Sequence, residues 1–272
     1  MVFQSFKPGA PLDAFVEKFW YYEGDARPFG KERIMPDGRM GLLINLSEDQ
    51  LRVYDGRRPD RMESMRGISL CGPQAESFVI DTADQGRIMG VNFKPGGAFL
   101  FFPPPADELR NAHVSLDALW GNAAGDLRER LLAARTSAER FRLTELYLTR
   151  RAANRRPTHP AVEYALSEFR RAPGRSIADV TERTGFSARR FIELFGAEVG
   201  LTPKVYCRLL RFRGALRRLH TGERIELADL AADCGYYDQA HFSNDFKLFS
   251  GFSPTAYLAN RGPYINHVSL PE

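Results

Sequence analysis

Two spacings of apolar residues divide the chain. Up to about residue 110, short apolar runs such as Leu42-Leu43-Ile44-Asn45-Leu46, Leu51-Arg52-Val53-Tyr54, Phe78-Val79-Ile80 and Ile88–Phe93 are separated by turn signals. Those signals include Pro36-Asp37-Gly38, Asp55-Gly56, Cys71-Gly72-Pro73 and Pro95-Gly96-Gly97. Short runs bounded by Gly, Pro and Asp predict strands, and a succession of them predicts an antiparallel sheet or a small barrel. An early helix is expected around Leu12 to Phe19, with Asp13 near its start. Asp37-Gly38-Arg39 reads as a plain hairpin turn, and Pro103-Pro104-Pro105 as a stiff bend between sheet and helices.

From Ser115 the period lengthens. Leu116, Leu119 and Trp120 stand at helical spacing, as do Leu127, Leu131 and Leu132, then Phe141 and the Leu143 to Leu148 stretch. After Pro160, Val162, Ala165, Leu166 and Phe169 fall at i, i+3, i+4 and i+7, the signature of a one-faced helix. Between these lies the basic stretch Arg150-Arg151-Ala152-Ala153-Asn154-Arg155-Arg156-Pro157, read as a solvated linker. The expected fold is therefore α+β. A β-rich unit with trailing helices spans residues 1–156, and an all-α unit spans 157–272.

Within the all-α unit one pattern occurs twice. Ile177 to Thr184 ends at Gly185, Ser187 follows, and Ala188 to Phe195 is amphipathic; Leu227 to Cys234 ends at Gly235, Asp238 follows, and Gln239 to Phe246 is amphipathic. A helix-turn-helix needs a residue tolerant of a left-handed conformation in its turn. It also needs a capping oxygen before the second helix. Both copies supply them. With Phe191, Leu194 and Phe195 turned inward, the first copy exposes Ala188, Arg189, Arg190, Ile192 and Glu193. With Phe242 and Phe246 inward, the second exposes Gln239, Ala240, Ser243 and Asn244. Arginine suits guanine, and Gln or Asn suits adenine, at roughly 1–3 kcal/mol of discrimination per good bidentate pair. Glu193 can accept from cytosine or pair within its helix with Arg189 or Arg190.

Lys204 to Leu219 joins the copies as one long predicted helix. Val205, Leu209, Phe212, Leu216 and Leu219 form its buried seam, and Arg208, Arg211, Arg213, Arg217 and Arg218 are expected to fan outward as a phosphate-binding footprint. Two recognition helices on one rod can read adjacent major-groove segments, which recur at roughly 34–36 Å. The overall charge of +4 adds little, and it argues against a sequence-tolerant architectural DNA protein, whose binding depends on many phosphate contacts.

Residues 176 to 261 resemble the DNA-binding domain of the arabinose-operon regulator (AraC/XylS) family of bacterial transcription factors. The resemblance rests on Gly185-Phe186-Ser187, Gly200-Leu201-Thr202-Pro203 with Tyr206, Gln239-Ala240-His241-Phe242 and Gly251-Phe252-Ser253-Pro254 with Tyr257. It implies double-stranded DNA as partner, with contacts from the exposed residues above and from Arg217 and Arg218. The family often carries arginine where this chain has Glu193 and Asn244, which implies a different recognised sequence. The resemblance further implies a cupin-like sensing or dimerisation domain in front, a small-molecule effector, contact with RNA polymerase and a homodimer.

The front unit offers little chemistry of its own. His113 stands alone, no histidine pair has metal-ligand spacing, and three scattered cysteines (Cys71, Cys207, Cys234) suggest neither zinc nor disulfides. No catalytic, metal or cofactor residues are assigned. Cys71 reads as a buried or loop thiol. The aromatics Phe19, Trp20, Tyr21, Tyr22, Phe29 and Tyr54 belong to a small core, with Trp20, Tyr22 and Tyr54 as candidates to line an effector pocket. The alternative reading is an enzyme in the β unit with the helical region as an interaction module. No apolar run nears the roughly 20 residues that span a bilayer, so no membrane partner and a cytoplasmic location are expected.

Overall fold

The computed structural model describes residues 2–24, 30–58, 60–152, 157–222 and 225–270. Among them the front half builds two antiparallel sheets. The first has the strand order β1-β2-β9-β4-β7-β10, with β1 Val2–Phe6, β2 Val16–Glu23, β4 Gly41–Asn45, β7 Ile68–Cys71, β9 Arg87–Phe93 and β10 His113–Ser115. The second runs β11-β3-β8-β5-β6, with β3 Lys31–Ile34, β5 Leu51–Asp55, β6 Met62–Met65, β8 Phe78–Asp81 and β11 His267–Leu270. The strands thus form two antiparallel sheets.

The expected helix at Leu12 to Phe19 is corrected. A single 3-10 turn covers Leu12–Ala14, and from Val16 the chain is extended as β2. Leu12, Phe15, Val16 and Phe19 fit a helical stripe, but Phe19 and Tyr21 also alternate with Trp20 and Tyr22. Pairing with β1 on one side and β9 on the other favours the strand. Where β2 crosses β9, Trp20 is opposite Gly90. A Cβ at Gly90 would overlap the indole ring, so the glycine lets that ring lie flat on β9. There its Nε1 donates to Asn92 Oδ1 at 3.0 Å.

One face of the first sheet (Phe19, Tyr21, Leu42, Ile44, Leu70, Met89, Val91) packs under three helices. These are α1 Leu116–Trp120, α2 Asn122–Ala133 and α3 Ser137–Ala152, which contribute Leu116, Trp120, Leu127, Leu131, Phe141 and Leu148. Burying each such side chain is worth roughly 1.5–3 kcal/mol. Arg150 and Arg151, read as linker, lie in the last turn of α3, and Arg151 stacks 4.0 Å over the Trp120 ring. Residues 153–156 of that basic stretch lie outside the described residues, as does Phe29.

The all-α half comprises α4 Pro160–Arg171, α5 Ile177–Thr184, α6 Ala188–Val199, α7 Pro203–Thr221, α8 Leu227–Asp233, α9 Gln239–Ser250 and α10 Pro254–Asn260. Its core takes in Met35 and Ala75 from the front half. After α10 the chain returns to the second sheet, where β11 pairs with β3 and buries Val268. Asp37-Gly38-Arg39, expected as a plain hairpin turn, instead joins strands of different sheets and meets α7: Arg213 Nη1 donates to Asp37 O at 3.3 Å. Arg39 pairs with Glu17 and, at 3.2 Å, with Asp37.

Candidate nucleic-acid interface

The turn glycines and the caps of both second helices stand where the repeat puts them, while α8 starts at Glu226 without a side-chain cap. Ser176 Oγ accepts from Asp179 N at 3.2 Å to start α5, and Gly185 ends it with φ 74°. Ser187 Oγ then accepts from Arg190 N at 3.3 Å to start α6. In the second unit Gly235 turns with φ 76°, and Asp238 Oδ1 accepts from His241 N at 2.7 Å to start α9. These are the two turn glycines and the two caps expected from the repeat. Between the units, α7 starts at a Thr202 cap followed by Pro203. Its nineteen residues at about 1.5 Å each make a rod of roughly 28 Å.

Amphipathicity divides both second helices cleanly. Phe191 and Phe195 of α6 are fully buried; Ala188, Arg189, Arg190, Ile192 and Glu193 are exposed. Glu193 is engaged within its own helix, with Oε1 3.0 Å from Arg189 Nε and Oε2 3.8 Å from Arg190 Nη1. Pairs this exposed contribute little, so they can be exchanged for contacts to a base edge. On α9, Phe242 and Phe246 are buried, Gln239, Ala240 and Asn244 are exposed, and Ser243 is half-buried.

The arginines of α7 depart from expectation. Arg208 holds the buried Asp245 of α9 through Nη2–Oδ1 at 2.6 Å and Nε–Oδ2 at 3.2 Å, and that hydrogen bonding pushes the guanidinium pKa up. Arg211 lies 5.3 Å from the Tyr236 ring centre, Arg213 reaches the front half, and Arg218 Nη1 meets Asp233 Oδ2 at 2.5 Å. Of the five, only Arg217 is exposed. The outward fan is therefore corrected: most of these charges fasten α7 to α8, α9 and the front half. Sequence reasoning missed this because each partner is supplied by a distant segment.

It also missed a basic cleft of about 530 Å³ between the two units. Arg175 before α5, Lys204, Arg208 and Arg211 on α7, and His241 on α9 line it, with Asp245 among them. Such a cleft can receive a phosphate strand between two reading helices.

In the front half, Trp20 and Tyr22 share one face of β2 and are both half-buried. Tyr54 belongs to the other sheet, opposite Val79 and under the Lys31 ammonium at 3.9 Å. Its strand neighbour register places it on the face away from Phe78, whose ring meets His113 of the first sheet at 4.6 Å. The three candidate pocket aromatics are thus not brought onto one surface. Cys71 and His113 are brought together by strand pairing, Sγ to Nε2 at 3.4 Å, and Gln74 Nε2 donates to the sulfur at 3.5 Å. Burial pushes the Cys71 thiol up to about 12 and His113 down to about 4, so both are neutral near pH 7, which is unlike a reactive thiolate. Among the described residues no helix is long and apolar enough to cross a membrane.

Comparisons with known proteins find one family profile in each half of the chain. Residues 180–260 match a family profile described as a helix-turn-helix domain, and residues 4–115 match one described as a domain of unknown function (DUF6597). A curated relative, the probable transcriptional regulator LumQ of Photobacterium leiognathi, is 34% identical over 83 residues, or 30% of this chain. The match spans only about a third (33%) of that relative's length. Among solved structures, ToxT of Vibrio cholerae is similar over 89% of this chain and 98% of its own, at 12% identity and a TM-score of 0.48. A probable AraC family transcriptional regulator from Rhodopseudomonas palustris is 24% identical over 39% of this chain and 100% of its own, with a TM-score of 0.35.

Proposed function

We infer that this chain is a sequence-specific DNA-binding transcription regulator, from a helix-turn-helix domain similar to that of a probable transcriptional regulator and carried behind a β-rich front domain. The carrying observation is the pair of capped, glycine-turned units mounted on one rod, each exposing a polar ridge above a buried phenylalanine seam. One chain then reads two adjacent major-groove segments. Arg189 and Arg190 of α6 contact one segment, and Gln239 and Asn244 of α9 the other. Phosphates between them fall to the basic cleft and to Arg217. Because both reading helices lie on one chain, a single asymmetric site is satisfied without a second copy.

The front domain acts as the regulatory partner. A small-molecule effector bound there, against the face that carries Trp20 and Tyr22, shifts the balance between DNA-binding states through its differential affinity for them.

The test is selection of bound fragments from a sheared bacterial genome at two salt concentrations. The expected result is one asymmetric motif with two blocks about a helical turn apart. Arg189→Ala and Gln239→Ala should relax the preference at different blocks, and Arg217→Ala should weaken all sequences alike. Equal retention of selected and scrambled duplexes by the unaltered protein would remove the assignment.

A further inference from the structure

The second reading helix is not flanked by solvent alone. Past Asn244, the exposed ridge of α9 continues through Lys247 and Leu248, and there it faces the front domain across a cavity of about 360 Å³. The opposite wall is Arg33 of β3, the Gly56-Arg57 turn after β5, and Glu76-Ser77 before β8. Three cations and one carboxylate line it, so the wall beside the DNA-reading ridge is positively charged.

The turn is held in place from both sides. Asp55 Oδ1 accepts from Arg57 N at 2.7 Å and from Arg58 N at 3.0 Å, and Asp55 N donates to Arg61 O at 3.0 Å. Arg33 Nη1 donates to Gly56 O at 2.7 Å and to Ser77 Oγ at 3.0 Å. The same guanidinium lies against Gly251 at the carboxy-terminal end of α9, 5.3 Å from the Phe252 ring centre. A cation there also suits the negative end of the helix dipole. Arg33 therefore ties the turn to the reading helix; Arg57 lines the cavity beside it, and Arg58, next along the turn, is exposed. Arg57 is 62% exposed, and Glu76, which it meets at 3.4 Å, is itself 43% exposed, a pairing weak enough to yield to a phosphate.

We propose that the front domain is itself part of the DNA interface: Arg57 and Arg58, with Lys247 of α9, form a phosphate-backbone site that flanks the segment read by the second unit. A duplex seated on α9 presents a phosphate charge about every 1.7 Å along its axis. The strand leaving the groove past Asn244 runs beside Lys247 and meets the turn. The partner is the DNA backbone, so the site adds affinity and register without base preference. Its position also couples the front domain to DNA directly, since any movement of the β5–β6 turn changes the contact.

This rests on the DNA-reading assignment above, and the test separates the two. Binding of the full chain to the selected duplex is measured by fluorescence anisotropy across a salt series. Arg57→Ala/Arg58→Ala should weaken binding roughly tenfold near 0.15 M salt and reduce the slope of log K against log salt by about 1 to 2. Arg57→Lys/Arg58→Lys should keep the slope, which separates charge from loop structure. Hydroxyl-radical footprinting should show protection lost only beyond the block that Gln239→Ala affects. An unchanged slope in the alanine pair, or tighter binding, overturns the proposed site while leaving the regulator reading intact. If the unaltered chain retains no duplex, both fall.

Discussion

Replacing Asp245 with alanine should loosen the second reading helix from its rod. The carboxylate side chain is 7% exposed and faces the Arg208 guanidinium, itself 27% exposed, in a two-point pair. His241 Nε2 lies 3.9 Å away on the same side. Removing one partner of a buried pair costs about 3–5 kcal/mol, chiefly because a charge is left desolvated and alone. Arg208 keeps some access to water, so the expected loss is smaller, about 2–3 kcal/mol. For a chain of this size that corresponds to a fall in Tm of roughly 5–10 °C. Thermal unfolding followed by circular dichroism at 222 nm measures it. The double variant Arg208→Met/Asp245→Leu should recover most of the loss, since an apolar pair of similar volume needs no compensating charge. A fall below about 2 °C for Asp245→Ala, or a double variant no better than the single, would refute the reasoning.

Three further outcomes follow from the geometry. Asp238→Ala removes the cap of α9 and should cost about 1 kcal/mol, seen as faster amide hydrogen exchange at residues 239–242. Gly90→Ala forces the Trp20 ring off β9 and breaks its bond to Asn92, a loss of roughly 1–3 kcal/mol; a changed near-ultraviolet dichroism of the indole reports it. His113 is held down to about 4 by burial, below the usual value near 6.5. Below pH 6.5 the unfolded chain takes up a proton that the folded chain refuses, so stability falls between pH 6.5 and 4 and then levels. His113→Asn should flatten that part of the stability profile relative to the unaltered protein.

The helical half was legible because its signals are local. Ser187 before Ala188, Gly185 after Thr184 and the Phe191/Phe195 spacing lie within one helix or its edges, and each determines a cap, a turn or a buried face. The strands around Leu42, Val53, Val79 and Val91 were readable from their bounding turns for the same reason. Ambiguity entered where one segment fits two periods. Leu12, Phe15, Val16 and Phe19 satisfy a helical stripe, and only the partners supplied by β1 and β9 decide for a strand. What depended on distant segments carried no local mark: nothing near Arg208 announces Asp245, and nothing near Arg33 announces the end of α9. The same holds for Tyr54, whose sheet and face follow from pairing with β8 rather than from its own neighbours.

The return of β11 to β3 has a consequence for the order in which the protein is made. Four residues that complete the second sheet, His267–Leu270, are translated after every helix of the DNA-reading half. Val268, which β11 buries, closes the core beneath those helices at the same time. On the ribosome, β3 therefore presents an open edge until synthesis has passed residue 270, and the front sheet cannot be finished ahead of the rest. Cutting the chain at the interdomain linker to obtain the helical half would carry away a strand of the other half, leaving one fragment with an uncovered edge and its partner with an unpaired strand.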